Sequence, residues 1–109
     1  MIETVLGSEY AEKVLMFIFI RGKGYASEIA SFFGADLATI QNQLNKFERG
    51  GVLVSLSVGR TRVFTLNPAW VFLPELSALL EKAFSYYPPG EMERYKLDRR
   101  RPRRSGKPL

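Results

Sequence analysis

Cysteine and histidine are both absent from the 109 residues of this chain. Without cysteine the chain can form no disulfide, thiolate zinc site or thiol switch. Without histidine it lacks the commonest general base and the commonest side-chain metal ligand. The remaining carboxylates, lysines and hydroxyls form no recognisable catalytic group along the sequence. We therefore expect a protein that is not an enzyme and that holds no cofactor and no metal ion.

Long apolar runs are also missing. The longest, residues 14–20, has seven residues, whereas a helix that spans a bilayer needs about 20. Residues 1–4 lack the positive charge that opens a secretory signal, and no small-residue cleavage site follows. We therefore expect a cytoplasmic protein with no membrane partner.

The net positive charge lies at one end of the chain. Residues 1–87 hold eight basic and eight acidic residues, so residues 88–109 carry the whole net charge of +5. The high isoelectric point is thus weak support for nucleic-acid binding by the folded part. We divide the chain into a domain over residues 1–87 and a basic, arginine-rich tail over residues 88–109.

Capping signals predict four helices. The first begins after Ser8 and ends before Gly22. Its run over residues 14–20 is apolar on every side, which is typical of a helix buried in the core or between subunits. A second helix starts near Ser27, and a fourth begins near Pro74. The segment 88–90 (Pro-Pro-Gly) is predicted to end ordinary secondary structure.

The third helix follows Asp36 and is succeeded by a β-hairpin. Its predicted core stripe has helical spacing and consists of Leu37, Ile40, Leu44 and Phe47. Residues 52–58 and 61–66 then alternate around Gly59, which predicts two antiparallel strands. Val52, Val54 and Leu56 share one parity, so we expect their face of the sheet to rest on the helices.

The opposite face of the third helix is polar and rich in amides. Amide side chains can form paired hydrogen bonds with the edge of adenine, and arginines near the hairpin turn can bind phosphates or enter the minor groove. Taken singly, these residues equally fit an ordinary solvated face. The candidate DNA contacts are Thr39, Gln41, Asn42, Asn45, Lys46 and Arg49 on the helix, and Arg60 and Arg62 on the hairpin.

Three segments carry a family resemblance: SEIA (residues 27–30), the spacing of Thr39, Ile40 and Leu44, and FERGGVL (residues 47–53). Over residues 8–85 the chain resembles the winged helix-turn-helix transcription regulators of bacteria and archaea, and most of all their ArsR-type group. The resemblance implies a mainly helical α+β fold with a small β-hairpin wing, double-stranded DNA as partner, and a homodimer formed by the first and last helices. We assign that interface to Leu15, Phe19, Leu76, Leu80 and Phe84.

The resemblance leaves the regulatory signal open. Metal-sensing members of this family bind their effector through cysteine, histidine and acidic ligands, and this chain has neither of the first two. Trp70, Phe72, Tyr86 and Tyr87 flank the fourth helix and serve either packing or an apolar effector pocket.

The tail arginines admit several roles. Arg99, Arg100, Arg101, Arg103 and Arg104 can lie along DNA phosphates, form a solvated extension, dock on an acidic partner or RNA, or pair with Glu91 and Glu93. We expect a sequence-specific DNA-binding transcription regulator. The alternatives are a winged-helix module that binds protein without reading bases, and an RNA-binding protein that acts through its tail.

Overall fold

The computed structural model describes residues 1–97, which form six α-helices and a three-stranded antiparallel sheet in an α+β fold. The predicted hairpin is confirmed, and a short extended piece adds the third strand in the order β1-β3-β2. The helices are α1 (Glu3–Leu6), α2 (Glu9–Arg21), α3 (Ala26–Phe33), α4 (Leu37–Arg49), α5 (Leu73–Phe84) and α6 (Pro89–Leu97); the strands are β1 (Gly24–Tyr25), β2 (Leu53–Val58) and β3 (Thr61–Leu66).

Helix α2 is the centre of the core, and its predicted limits are confirmed. The Ser8 hydroxyl accepts a hydrogen bond from the Ala11 amide at 3.1 Å, as an N-cap does. Gly22 ends the helix at φ 88°, in the left-handed region that favours glycine. All five residues from 14 to 18 are buried within the single chain. This apolar run therefore builds the chain's own core.

That burial limits the predicted dimer interface. Leu15 and Leu80 are at most 1% exposed, and Phe84 is also buried. Because the chain's own core already covers these three side chains, they have almost no surface left for a partner in this conformation. Phe19 and Leu76 are half-buried, and they are the predicted interface residues that keep accessible surface.

The turn between α3 and α4 is tight, because Gly34 adopts φ 62°. Ile40, Leu44 and Phe47 are buried as their spacing predicts. Leu37 departs from the prediction and is 45% exposed. It lies on the first turn of α4 and lines the groove between that helix and the hairpin.

The hairpin β2–β3, hereafter the wing, presents the face opposite to the one predicted. Leu53 is 1% exposed, whereas Val54 is exposed and Leu56 is 72% exposed. Side chains alternate along a strand, so burying Leu53 turns Val54 and Leu56, which have the other parity, outward. Ser55 shares the inner face and is paired across the strands with the buried Phe64. The prediction that Val54 and Leu56 rest on the helices is wrong.

Two leucines of the same strand test this assignment. Leu53→Ala should lower the free energy of unfolding by about 2–5 kcal/mol, because removing this buried side chain leaves a cavity in the core. Leu56→Ala should change it by less than about 0.5 kcal/mol, because most of that side chain already lies in water. Urea denaturation of both variants measures the difference. Equal losses for the two variants would contradict the inward orientation of Leu53.

The folded body extends past the predicted boundary at residue 87. Pro89 begins α6 instead of ending the structure, which suits proline because the first helical position needs no amide donor. Tyr95 of this helix is 1% exposed. Its ring lies 5.4 Å from that of Phe32 and 5.6 Å from that of Phe84, between centroids. Burial raises the pKa of the Tyr95 hydroxyl above its usual range.

Two arginines fasten α6 to the body. The Nε of Arg21 donates a hydrogen bond to the Tyr95 carbonyl at 3.0 Å. Arg94 donates to the carbonyl of Phe32 and stacks 4.0 Å from the centre of its ring. Stacked guanidinium groups add to packing as well as to charge balance. The five candidate tail arginines, from Arg99 to Arg104, lie outside the described residues.

The four aromatic residues around α5 divide between packing and exposure. Tyr87 is buried and its hydroxyl donates to the carboxylate of Glu12, which is itself buried. Burial and this hydrogen bond raise the pKa of Tyr87 above its usual range. Trp70 and Phe72 form an edge-to-face pair at 5.7 Å, and Phe72 and Tyr86 are both exposed.

Within residues 1–97, no helix has the length and apolar character that crossing a membrane requires.

Candidate nucleic-acid interface

The predicted reading face of α4 is accessible along its whole length. A helix turns about 100° per residue, so the buried stripe of this helix leaves Ala38, Asn42 and Arg49 on the opposite side. Gln41, Asn42, Lys46 and Arg49 are exposed, and Thr39 and Asn45 are half-buried. All six helix candidates therefore keep surface that a ligand can reach.

The structure brings only some of these candidates to the wing. Gln41 and Asn45 line a groove of about 370 Å³ together with Arg60 and Arg62. The groove lies between α4, the start of α3 and the wing. Its lining mixes two amides with two guanidinium groups, which suits a ligand that offers both acceptors and negative charge.

Lys46 occupies the other flank of α4. Its ammonium lies 4.7 Å from the centre of the Phe47 ring, at cation–π distance. The same ammonium borders Gly7, where an added Cβ would come within 3.3 Å of it. Lys46 thus faces the turn between α1 and α2, and a contact with a base would require it to leave Phe47.

Arg62 spans the gap between the wing and α4. Its Nε donates to the Ser55 hydroxyl at 3.1 Å, its Nη1 donates to Asn45 Oδ1 at 3.4 Å, and its Nη2 donates to Glu48. The second oxygen of Glu48 accepts from the Ser55 hydroxyl at 2.5 Å. The guanidinium also lies 5.0 Å from the ring centre of Phe64. Three nitrogen atoms of Arg62 are therefore engaged inside the protein.

Glu48 is the residue that sequence reasoning missed. It is the sole acidic residue of α4, and that solitary carboxylate on a helix otherwise rich in amides is the signal that could have revealed it. Because its carboxylate is paired with Arg62, the groove carries less free positive charge than its two arginines would imply. Arg49 and Arg60 are exposed and form no salt bridge within residues 1–97.

Comparison with known proteins gives a fold. No protein-family model matches the sequence, and no curated protein sequence does. Two solved structures of Lactococcus lactis ZitR are similar, both of a variant in which alanine replaces a cysteine and a histidine. The fold is that of a winged helix.

The similarity to ZitR spans most of both chains at low identity. The apo form aligns with a TM-score of 0.54 and 15% identity, over 83% of this chain and 76% of that chain. The second structure aligns with a TM-score of 0.51 and 12% identity, over 81% and 68%. At these identities the likeness establishes the architecture, and membership of the ArsR-type group stays a prediction. Within residues 1–97, no group of three or more acidic residues is placed to hold a metal ion.

Proposed function

We propose that this protein is a sequence-specific, DNA-binding transcription regulator that sets α4 into the major groove. The observation that carries the proposal is the exposed, amide-rich face of α4 beside the wing of a winged-helix fold. ZitR, which shares the fold, is a transcription regulator. A helix of this kind, flanked by a wing, matches the width of the major groove.

The residues divide into base contacts and phosphate contacts. Gln41 and Asn42 are exposed, and within residues 1–97 neither side-chain amide makes a hydrogen bond. Each therefore keeps a donor and an acceptor for the edge of a base. Arg49 and Arg60 bring unpaired positive charge to the DNA phosphate backbone. Phosphate contacts of this kind fix the position of the protein on the DNA without reading the base sequence.

The proposed assembly is a homodimer. A dimer places two α4 helices about one turn of DNA apart, so the expected target is a pseudo-palindrome. Phe19 and Leu76 supply the accessible part of the predicted interface. The tail arginines, from Arg99 to Arg104, would add phosphate contacts and make the affinity strongly dependent on salt.

Two substitutions test the division of labour. Asn42→Ala should relax the base preference at one position of the site, at a cost of about 1–3 kcal/mol for the preferred base. Arg60→Ala should weaken binding to every sequence alike and reduce the slope of log affinity against log salt by about 1. Affinities for a panel of single-base variants at several salt concentrations measure both effects. If both variants lost affinity without regard to sequence, the assignment of Asn42 to a base would fail.

A second candidate function, protein binding, is favoured by the outer face of the wing. Val54, Leu56 and Val58 are all exposed there and carry no charge. Exposed apolar patches of this kind often mark protein interaction sites. Association of the purified protein in solution, abolished by Leu56→Lys, together with no enriched DNA motif, would favour this function over DNA reading.

A further inference from the structure

Arg62 sets the orientation of the Asn45 side-chain amide. Arg62 Nη1 lies 3.4 Å from Asn45 Oδ1. A guanidinium carries five N–H donors and no acceptor. Turning the amide over would place its two N–H groups against the N–H groups of Arg62. The oxygen of Asn45 must therefore face Arg62, which leaves the NH₂ group as the end available to a ligand.

The position of the Arg62 guanidinium is itself fixed. Arg62 is joined to Glu48 by a salt bridge and to Ser55 by a hydrogen bond, and it stacks on the buried Phe64. These contacts come from both α4 and the wing, so they hold the guanidinium from two sides. Asn45 is half-buried beside it. The amide of Asn45 consequently has one orientation built into the protein.

We propose that Asn45 reads its base pair as a hydrogen-bond donor and selects guanine over adenine. This inference rests on the proposed DNA-binding function. In the major groove guanine offers two adjacent acceptors, N7 and O6, which one NH₂ group can approach together. Adenine offers one acceptor and one donor, and its donor would need the Asn45 oxygen, which is turned toward Arg62 and away from the base. Asn45 thus differs from Asn42, whose amide keeps both ends free.

Arg62 and Glu48 are positioning residues in this account. Arg62 orients the reading amide, and Glu48 holds Arg62 and balances its charge. The sequence alone predicts that Arg62 binds phosphate and that every amide of α4 suits adenine. The network instead removes Arg62 from the phosphate contacts and gives one of the four exposed or half-buried amide side chains of α4 a different base preference. The operator is expected to combine guanine at the Asn45 position with adenine at the Asn42 position.

The experiment uses the full-length protein and selection from a random double-stranded DNA library, followed by affinities for single-base variants of the enriched motif. Asn45→Ala identifies the position that residue 45 reads, because the preference there disappears. The wild-type protein should favour guanine over adenine at that position by roughly 5- to 150-fold. This comparison needs no substitution of Arg62, so it holds even if an Arg62 variant does not fold.

Variants of Arg62 then test the cause. Arg62→Met removes the donors but keeps a long apolar side chain over Phe64, and it should raise the relative affinity for adenine at that position. Arg62→Lys keeps a donor and should preserve guanine. Arg60→Met makes the same change at an exposed wing residue, so it should weaken all sequences and leave the base preference intact.

The outcomes separate two failures. Three results would overturn the donor-only assignment while leaving DNA binding standing. The wild-type protein could prefer adenine at the Asn45 position, or a folded Arg62→Met variant could keep the guanine preference unchanged. The third such result is that Asn45→Ala has no effect on any position. The absence of any enriched motif would overturn the proposed function and this inference together.

Discussion

A chain that ends at Leu97 should bind the same DNA motif as the full-length protein, but more weakly and with less dependence on salt. The residues removed include Arg99, Arg100, Arg101, Arg103 and Arg104. Each phosphate neutralised contributes about 0.9 to the slope of log affinity against log salt. Two such contacts correspond to about a 30-fold loss of affinity near 0.15 M salt, and further contacts add to it. Titrations at several salt concentrations measure the slope and the loss.

The matched control keeps the length of the tail. In a full-length variant, glutamine replaces the five tail arginines, and it should behave as the shortened chain does. An unchanged salt slope in both proteins would mean that the tail is a solvated extension. A lost motif would mean that the tail takes part in reading sequence, which contradicts its assignment to phosphates.

The truncation point is dictated by α6. A chain ending at residue 87 would lose Tyr95, whose buried ring packs against Phe32 and Phe84. It would also strip Arg21 of its hydrogen bond to the Tyr95 carbonyl. Weak DNA binding by that shorter chain would therefore report damage to the fold. Ending at Leu97 preserves the helix and isolates the contribution of the basic segment.

Tyr95→Ala should lower the free energy of unfolding by about 3–5 kcal/mol, the range found when a large buried aromatic side chain is removed. The loss arises because the ring fills a site bounded by other aromatic rings, and alanine leaves a cavity that the surrounding helices only partly close. This is a large fraction of the stability of a small domain. Urea denaturation near neutral pH measures it.

Tyr86→Ala is the matched control, since Tyr86 is the same residue type and is 70% exposed. Its substitution should change the free energy of unfolding by no more than about 0.5 kcal/mol. Similar values for the two variants would show that α6 does not contribute to the folded body. A large loss for Tyr95 alone would establish residues 89–97 as part of the domain.

The features predicted correctly depend on local signals. Ser8 and Gly22 set the ends of α2 by capping, and Ile40, Leu44 and Phe47 define the buried side of α4 by their spacing alone. Gly59 marks the hairpin turn with a φ of 62°. Each of these signals lies within a few residues of the structure it specifies, so no knowledge of the tertiary fold is needed.

The features that were missed depend on distant partners. Strand β2 has apolar residues at both parities, and its orientation is decided by Phe64 across the strands and Glu48 on α4. From the sequence alone Pro89 predicts the end of a helix. Only the burial of Tyr95 in the folded chain shows that a helix begins at Pro89. The internal role of Arg62 likewise depends on Glu48, fourteen residues away. Tertiary contacts of this kind leave no periodic mark in the sequence.

Reading of DNA sequence by α4 is best measured by selecting double-stranded DNA from a random library with the full-length protein and with the chain that ends at Leu97. We expect one enriched, pseudo-palindromic motif that both proteins share, and we expect Asn42→Ala to alter it at a single position of each half-site. If neither protein enriched any motif, α4 would not read DNA sequence.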